Sequence, residues 1–231
     1  LRAVACIVLA LAAAGPFGAR AGTEVPEASP AERLVFLQAH LANLEPPLAL
    51  HYAYLREAEG EAPLPERMSL ALKRTAAGGC CAVSGRFLSG ERAMALPEID
   101  DASANPMLLY FLEYEVRELS RLTKGSSAFF RKRIRQAFVD AATIAPVTIR
   151  WNDRELVAQE VRIAPFRDDP QRARFERQAR KEYAFVTSEA VPGGVYRIHT
   201  LIPAAEPGGA PLLRETLTLE PTTRDPANPR K

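Results

Sequence analysis

The chain has 231 residues, 47% of them hydrophobic, with 30 Lys and Arg against 28 Asp and Glu for a formal charge of +2. That length and hydrophobic share fit one globular domain with a substantial core. So small a charge excludes the basic footprint of a nucleic-acid binder, and no nucleic-acid partner is expected.

Residues 1–21 resemble a secretory signal peptide. Ile7 to Ala14 form an apolar run, Gly15-Pro16 break it, and Ala19-Arg20-Ala21 has the A-x-A form of a cleavage site. The run falls short of the ~20 residues needed to span a bilayer. Cys6 stands at its start rather than its end, which argues against a lipid anchor. Arg2 and Arg20 are the only charges removed with the leader, so the remainder is formally neutral. The localisation expected is export, to the periplasm in a Gram-negative organism and outside the cell otherwise. No later window approaches ~18 apolar residues, so no transmembrane anchor remains after cleavage.

Residues 22–220 read as a single domain. Ser29-Pro30 supplies an N-cap and a first-turn proline, and Leu34, Leu37, Leu41 and Leu44 space an amphipathic helix to about Asn43. Pro46-Pro47 stops it. Leu48, Leu50, Tyr52 and Tyr54 then alternate as a strand, Met68, Leu70 and Leu72 repeat the pattern, and Val83 to Phe87 form a third. The three suggest an antiparallel meander. Cys80 and Cys81 remain after leader removal. Neighbours in a strand point to opposite faces, so two separate packing roles are expected, the alternative being a strained ring turned by Gly78-Gly79.

Asn105-Pro106 opens a helix whose face runs through Leu108, Phe111, Leu112, Val116, Leu119 and Leu122 to Lys124-Gly125. Ser126 starts the next, with Phe130, Ile134 and Phe138 at four-residue steps. Alternation returns at Val147, Ile149 and Trp151, and Asn152-Asp153 turns the chain into Glu155 to Ile163. Asp169-Pro170 predicts a short charged helix to about Lys181. Strands follow over 183–188, 195–202 and 213–219, and 221–231 reads as a disordered polar tail. Strands, then helices, then strands predict an α+β fold: a mostly antiparallel curved sheet of about seven to eight strands, a central helical pair on one face, and an N-terminal helix. In plan this is similar to exported carrier domains of the lipoprotein-carrier type, with no diagnostic motif in common.

Chemistry is sparse, and no residue stands out as catalytic. There is no G-x-S-x-G elbow, no phosphate-cradling glycine loop and no metal-ligand spacing, so neither cofactor nor metal is expected. His40 reads as a packed, hydrogen-bonded side chain. His51 and His199 lie on the less apolar faces of two strands, and with Asp100 or Asp101 they form the rival reading, a hydrolase with a dispersed site. The acids at Glu98, Asp100 and Asp101, and at Asp168 and Asp169, read as turn and cap residues. Arg131, Lys132 and Arg135 make the outer face of their helix basic, suited to anionic lipid or an acidic partner. The preferred alternative is a solvated face offset by Glu113, Glu115 and Glu118. The leading expectation is a non-enzymatic exported domain that binds a hydrophobic small molecule or lipid, or an envelope protein partner, between sheet and helices. Tyr52, Tyr54, Phe111 and Trp151 are the candidate lining residues, although a packed core would use the same residues. A structural subunit of an envelope complex is a third reading.

Overall fold

The computed structural model describes residues 27–94 and 96–221. The predicted leader and the tail beyond residue 221 lie outside them. One antiparallel sheet of eight strands carries the fold, in the order β3-β2-β1-β8-β7-β6-β5-β4. The strands are β1 (Leu48–Ala58), β2 (Leu64–Arg74), β3 (Cys80–Arg86), β4 (Thr143–Trp151), β5 (Arg154–Ile163), β6 (Glu182–Thr187), β7 (Val195–Ile202) and β8 (Leu213–Leu219). This is the α+β architecture that the run of strands, helices and strands predicts. Two meanders, β1–β3 and β4–β8, are joined edge to edge where β8 pairs with β1, Tyr54 opposite Leu217.

Alternation sets the faces. Leu50, Tyr52 and Tyr54 are buried on β1 while His51, Ala53 and Leu55 are exposed, so the first set faces the helices and the second faces solvent. Asn152 and Asp153, both at positive φ (47° and 61°), close the β4–β5 hairpin as its sequence predicts. The helices α2 (Met107–Thr123) and α3 (Ser127–Asp140) cover the inner face. Asn105 caps α2 through its Oδ1, which accepts the Met107 N–H, and Lys124 in the left-handed region ends it. Ser126 occupies the N-cap position of α3, but its side chain makes no capping bond. Under α3, Phe130, Phe166 and Phe175 meet with ring centroids 5.6–5.8 Å apart.

Three expectations are corrected. The N-terminal helix does not reach Asn43: α1 (Pro30–Glu32) continues as a wider turn over Arg33–Leu37 and stops. Tertiary bonds win over the leucine spacing there. The Leu41 N–H donates to the Ser103 carbonyl, and His40 Nε2 meets the Leu34 carbonyl at 3.0 Å. The charged segment after Asp169-Pro170 is no regular helix but a 3-10 stretch over Arg172–Arg180, broken at Glu176 with φ 49°. Cys80 and Cys81 do not pack separately; they are joined as a disulfide. Simple alternation fails at this point because the register slips. Cys80 opposes Arg74 and Ala82 opposes Lys73, leaving Cys81 as the extra residue of a bulge.

Candidate functional site

Two places in the molecule hold more than ordinary packing. The first is a buried charged cluster at the end of the sheet where α2, β1, β6, β7 and β8 meet. Glu115 projects from the inner face of α2, Lys181 precedes β6, and Glu215 lies on β8; their side chains are 0%, 4% and 3% exposed. Lys181 Nζ lies 2.6 Å from Glu115 Oε2 and 2.9 Å from Glu215 Oε2. Tyr183 donates to Glu115 Oε2 at 3.0 Å, Tyr54 to Glu215 Oε1 at 2.8 Å, and Thr200 to Glu215 Oε2 at 2.9 Å. Glu115 Oε1 has no hydrogen-bond partner among the described residues.

Two carboxylates against one ammonium would leave a net negative charge in a dry site. Protonation relieves it. Burial pushes Glu115 up to about 7, more than the Lys181 charge pulls it down, and the neighbouring Glu215 adds to the rise. Burial also raises Glu215, but the Lys181 charge and the hydrogen bonds of Lys181, Tyr54 and Thr200 outweigh it and hold that carboxyl at about 2. Burial would lower Lys181, yet the two glutamates hold it above the usual range. An ammonium so held is not a nucleophile. The cluster is therefore an internal anchor between α2 and the sheet, with Glu115 the carboxyl that holds a proton more readily. A small cavity of about 190 Å³ opens against it, lined by Tyr114, Lys181 and Glu215 with Arg56, Arg177 and Gln178 around them.

The second place is an apolar groove of about 970 Å³ across the outer side of the helix pair. Ile134 and Phe138 of α3 and Leu112 and Val116 of α2 form its floor, and all four are buried. Its walls are Phe36 and Leu37 on one side and Met94, Leu96, Pro97 and Ile99 on the other. The N-terminal wall is held in place by a capping box, in which Glu32 N–H donates to Ser29 Oγ and Ser29 N–H to Glu32 Oε2. Ser29 Oγ also donates to the Phe138 carbonyl at 3.0 Å, tying the wall to α3. Leu37, Leu109 and Val139 line the groove while 62%, 55% and 51% exposed. Open apolar surface of this kind makes the groove a candidate interaction site.

The residues singled out from the sequence distribute otherwise. Tyr52, Tyr54, Phe111 and Trp151 are all buried and line neither the groove nor the small cavity. Tyr52 accepts a hydrogen bond from Asn105, Tyr54 belongs to the charged cluster, and Trp151 stands edge-on to Tyr196 at 6.4 Å. Arg131 and Arg135 line the groove, while Lys132 is exposed outside it. Arg131 forms a two-bond bridge to Glu113, as the offset-charge reading expects; Glu115, placed by that reading on the same solvated face, is buried instead. His40 is packed and hydrogen-bonded, its Nδ1 accepting the Asn105 N–H at 3.3 Å. His51 and His199 do not meet. His199 pairs with Thr216 and Thr216 with Leu55, four residues along β1 from His51. Asp100 and Asp101 lie exposed in the connection before α2, and Asp169 is paired with Arg133 at 2.6 Å. Among the described residues no group of His, Cys, Asp and Glu is placed to hold a metal, and no helix is long and apolar enough to cross a membrane.

No protein-family model matches this chain, and no curated protein does. Among solved structures it has a similarity to a LolA superfamily protein from Nitrosomonas europaea, 10% identical, covering 84% of this chain and 94% of that one with a TM-score of 0.24. A likeness of that degree leaves the functional reading to the chain's own geometry.

Proposed function

We propose that this chain is an exported, non-enzymatic binding protein that holds the apolar part of an amphiphilic small molecule in the groove over α2 and α3. The observation that supports it is the groove itself: a buried aliphatic and aromatic floor with Leu37, Leu109 and Val139 left open above it. A polar ligand would desolvate without compensation there, whereas a hydrocarbon chain gains roughly 25 cal/mol for each Å² it buries. The site differs from the one anticipated between sheet and helices; Tyr52, Tyr54, Phe111 and Trp151 are buried and do not line this groove. Export rests on the leader-like residues 1–21 and places the groove in the periplasm if the organism is Gram-negative. Intact mass of envelope-derived protein should give a chain starting at Gly22, and retention of residues 1–21 counts against that location.

The groove is tested by displacement of a fluorescent fatty-acid probe, with native mass spectrometry of protein purified without detergent. The double variant Leu109→Asp, Val139→Asp alters two exposed positions. It should retain the parent's melting temperature within a few degrees and lose about ten-fold or more in probe affinity, since each charge must be desolvated against the chain. Undiminished binding in a folded variant moves the ligand elsewhere. A parent that binds no amphiphile leaves the groove to an amphipathic segment of a protein partner.

A further inference from the structure

We infer that the occupant of the groove is a single-chain amphiphile with an anionic head, a fatty acid, and that Arg117 and Arg135 select it; this rests on the binding role proposed above. Six charged residues line the groove: Arg117, Arg131 and Arg135 against Glu27, Glu32 and Glu113. All three acids are already engaged. Glu113 is bridged by Arg131 at 2.5 and 3.0 Å, Glu27 is paired with Arg33 at 2.6 Å, and Glu32 accepts the Ser29 N–H in the capping box. Arg117 and Arg135 are exposed and make no ion pair or hydrogen bond among the described residues. The rim of an apolar trough therefore carries two guanidinium groups with no ion-pair partner among the described residues, against one carboxylate, Glu32, whose partner is a backbone N–H.

Position adds to the count. Arg117 lies one helical turn beyond Glu113 on α2, and Arg135 one turn beyond Arg131 on α3. With the Glu113–Arg131 bridge between the two antiparallel helices, the free cations fall on either side of it, flanking the floor of Leu112, Val116 and Ile134. A chain laid on that floor brings its head within reach of one or the other. The guanidinium fork matches a carboxylate in two parallel hydrogen bonds, and beside an apolar wall the pair is less screened than in open water. The floor is recessed between the segment at Phe36-Leu37 and the loop at Met94–Ile99, with Ile134 and Phe138 only 4% and 1% exposed. A flat bilayer surface matches such a trough poorly. A free single chain fits it.

Chain-matched ligands separate the head from the tail: dodecanoate, dodecan-1-ol and dodecyltrimethylammonium, each titrated against the same fluorescent probe at low and high salt. Dodecanoate should bind about five- to ten-fold tighter than the alcohol, with the ammonium weakest, and added salt should narrow the gap. In Arg117→Gln, Arg135→Gln the carboxylate should fall to the level of the alcohol while the alcohol is unchanged. Both positions are exposed, and circular dichroism confirms that the variant folds; the single variants serve if the double does not. Equal binding of acid and alcohol overturns the head-group inference and leaves the groove standing. Failure of all three ligands overturns the groove reading itself. Phosphatidylglycerol vesicles that outcompete free dodecanoate overturn the soluble fatty acid in favour of a lipid surface.

Discussion

Glu115 is the side chain whose surroundings demand most of it. It is completely buried on α2 with Lys181 and Tyr183 on one oxygen and, among the described residues, no hydrogen-bond partner on the other. The groups around it are Lys181 and Tyr183 from the β6 side, Glu215 from β8, and beyond Glu215 the hydroxyls of Tyr54, Tyr114 and Thr200. A proton held on Glu115 relieves the competition of two carboxylates for one ammonium. The consequence for stability follows from its folded pKa of about 7 against an ordinary value of 4.5. The folded state holds the proton more tightly, so this contribution is full below pH 4.5 and is lost as pH rises toward 7 and above. Glu215, held at about 2, contributes above 4.5 and fails as pH falls toward 2. His40, lowered by burial, contributes above 6.5 and weakens as pH falls below it. Denaturant titrations of the parent and of Glu115→Gln isolate the first effect, because His40 and Glu215 are common to both. The difference should slope by up to about 1.4 kcal/mol per pH unit between pH 5 and 7, with the variant gaining as pH rises. Parallel curves would show that Glu115 is ionised throughout.

At the scale of elements, periodicity was a good guide where a helix lies on a wide apolar surface and a poor one where a few tertiary bonds decide. The stripe from Leu108 to Leu119 gives α2 within a residue or two, and Phe130, Ile134 and Phe138 give α3. Glu115, one turn from both Phe111 and Leu119 on that stripe, is itself a legible sign of a buried charge. Glu215, alternating with Leu217 and Leu219, is another. What no local pattern reveals is their meeting with Lys181. The N-terminal leucines mislead because the backbone after Leu37 is claimed by a hub around Asn105. That residue is 1% exposed; its Nδ2 donates to Tyr52 Oη and to the Gly193 carbonyl, its Oδ1 caps α2, and its N–H reaches His40. The glycine turn is part of the same hub, since a Cβ on Gly194, at φ +68°, would stand 2.6 Å from the His40 ring. Asn105→Ala strands three buried polar groups at once and should cost about 3 kcal/mol or more in chemical denaturation. A loss under 1 kcal/mol would mean that the hub is dispensable to the N-terminal segment.

For the molecule as a whole, two meanders joined through β1 and β8 place the aromatic core on one side of the helix pair and the open groove on the other. The sheet was readable because strands such as β1 and β8 alternate between a buried and a more exposed face, although β6 is buried on both. The groove was not, because the segment before β1, the connection after β3 and the helix pair that line it are separated by long stretches of sequence. Leu109, Leu37 and Val139 carry no local mark that separates an open apolar wall from a covered one. The groove shares its floor of Leu112, Val116, Ile134 and Phe138 with the core, but its open wall at Leu37, Leu109 and Val139 can be changed apart from it. Trp151, 8% exposed against Tyr196 and not among the residues that line the groove, belongs to the core. Trp151→Ala should lose about 3–5 kcal/mol of stability, while the affinity of the folded fraction for a fatty-acid probe stays within about two-fold of the parent. Leu109→Asp, Val139→Asp should show the reverse, with stability kept and affinity lost. A Trp151→Ala variant that keeps its stability but releases the probe would return the binding site to the space between sheet and helices and remove the groove from the mechanism.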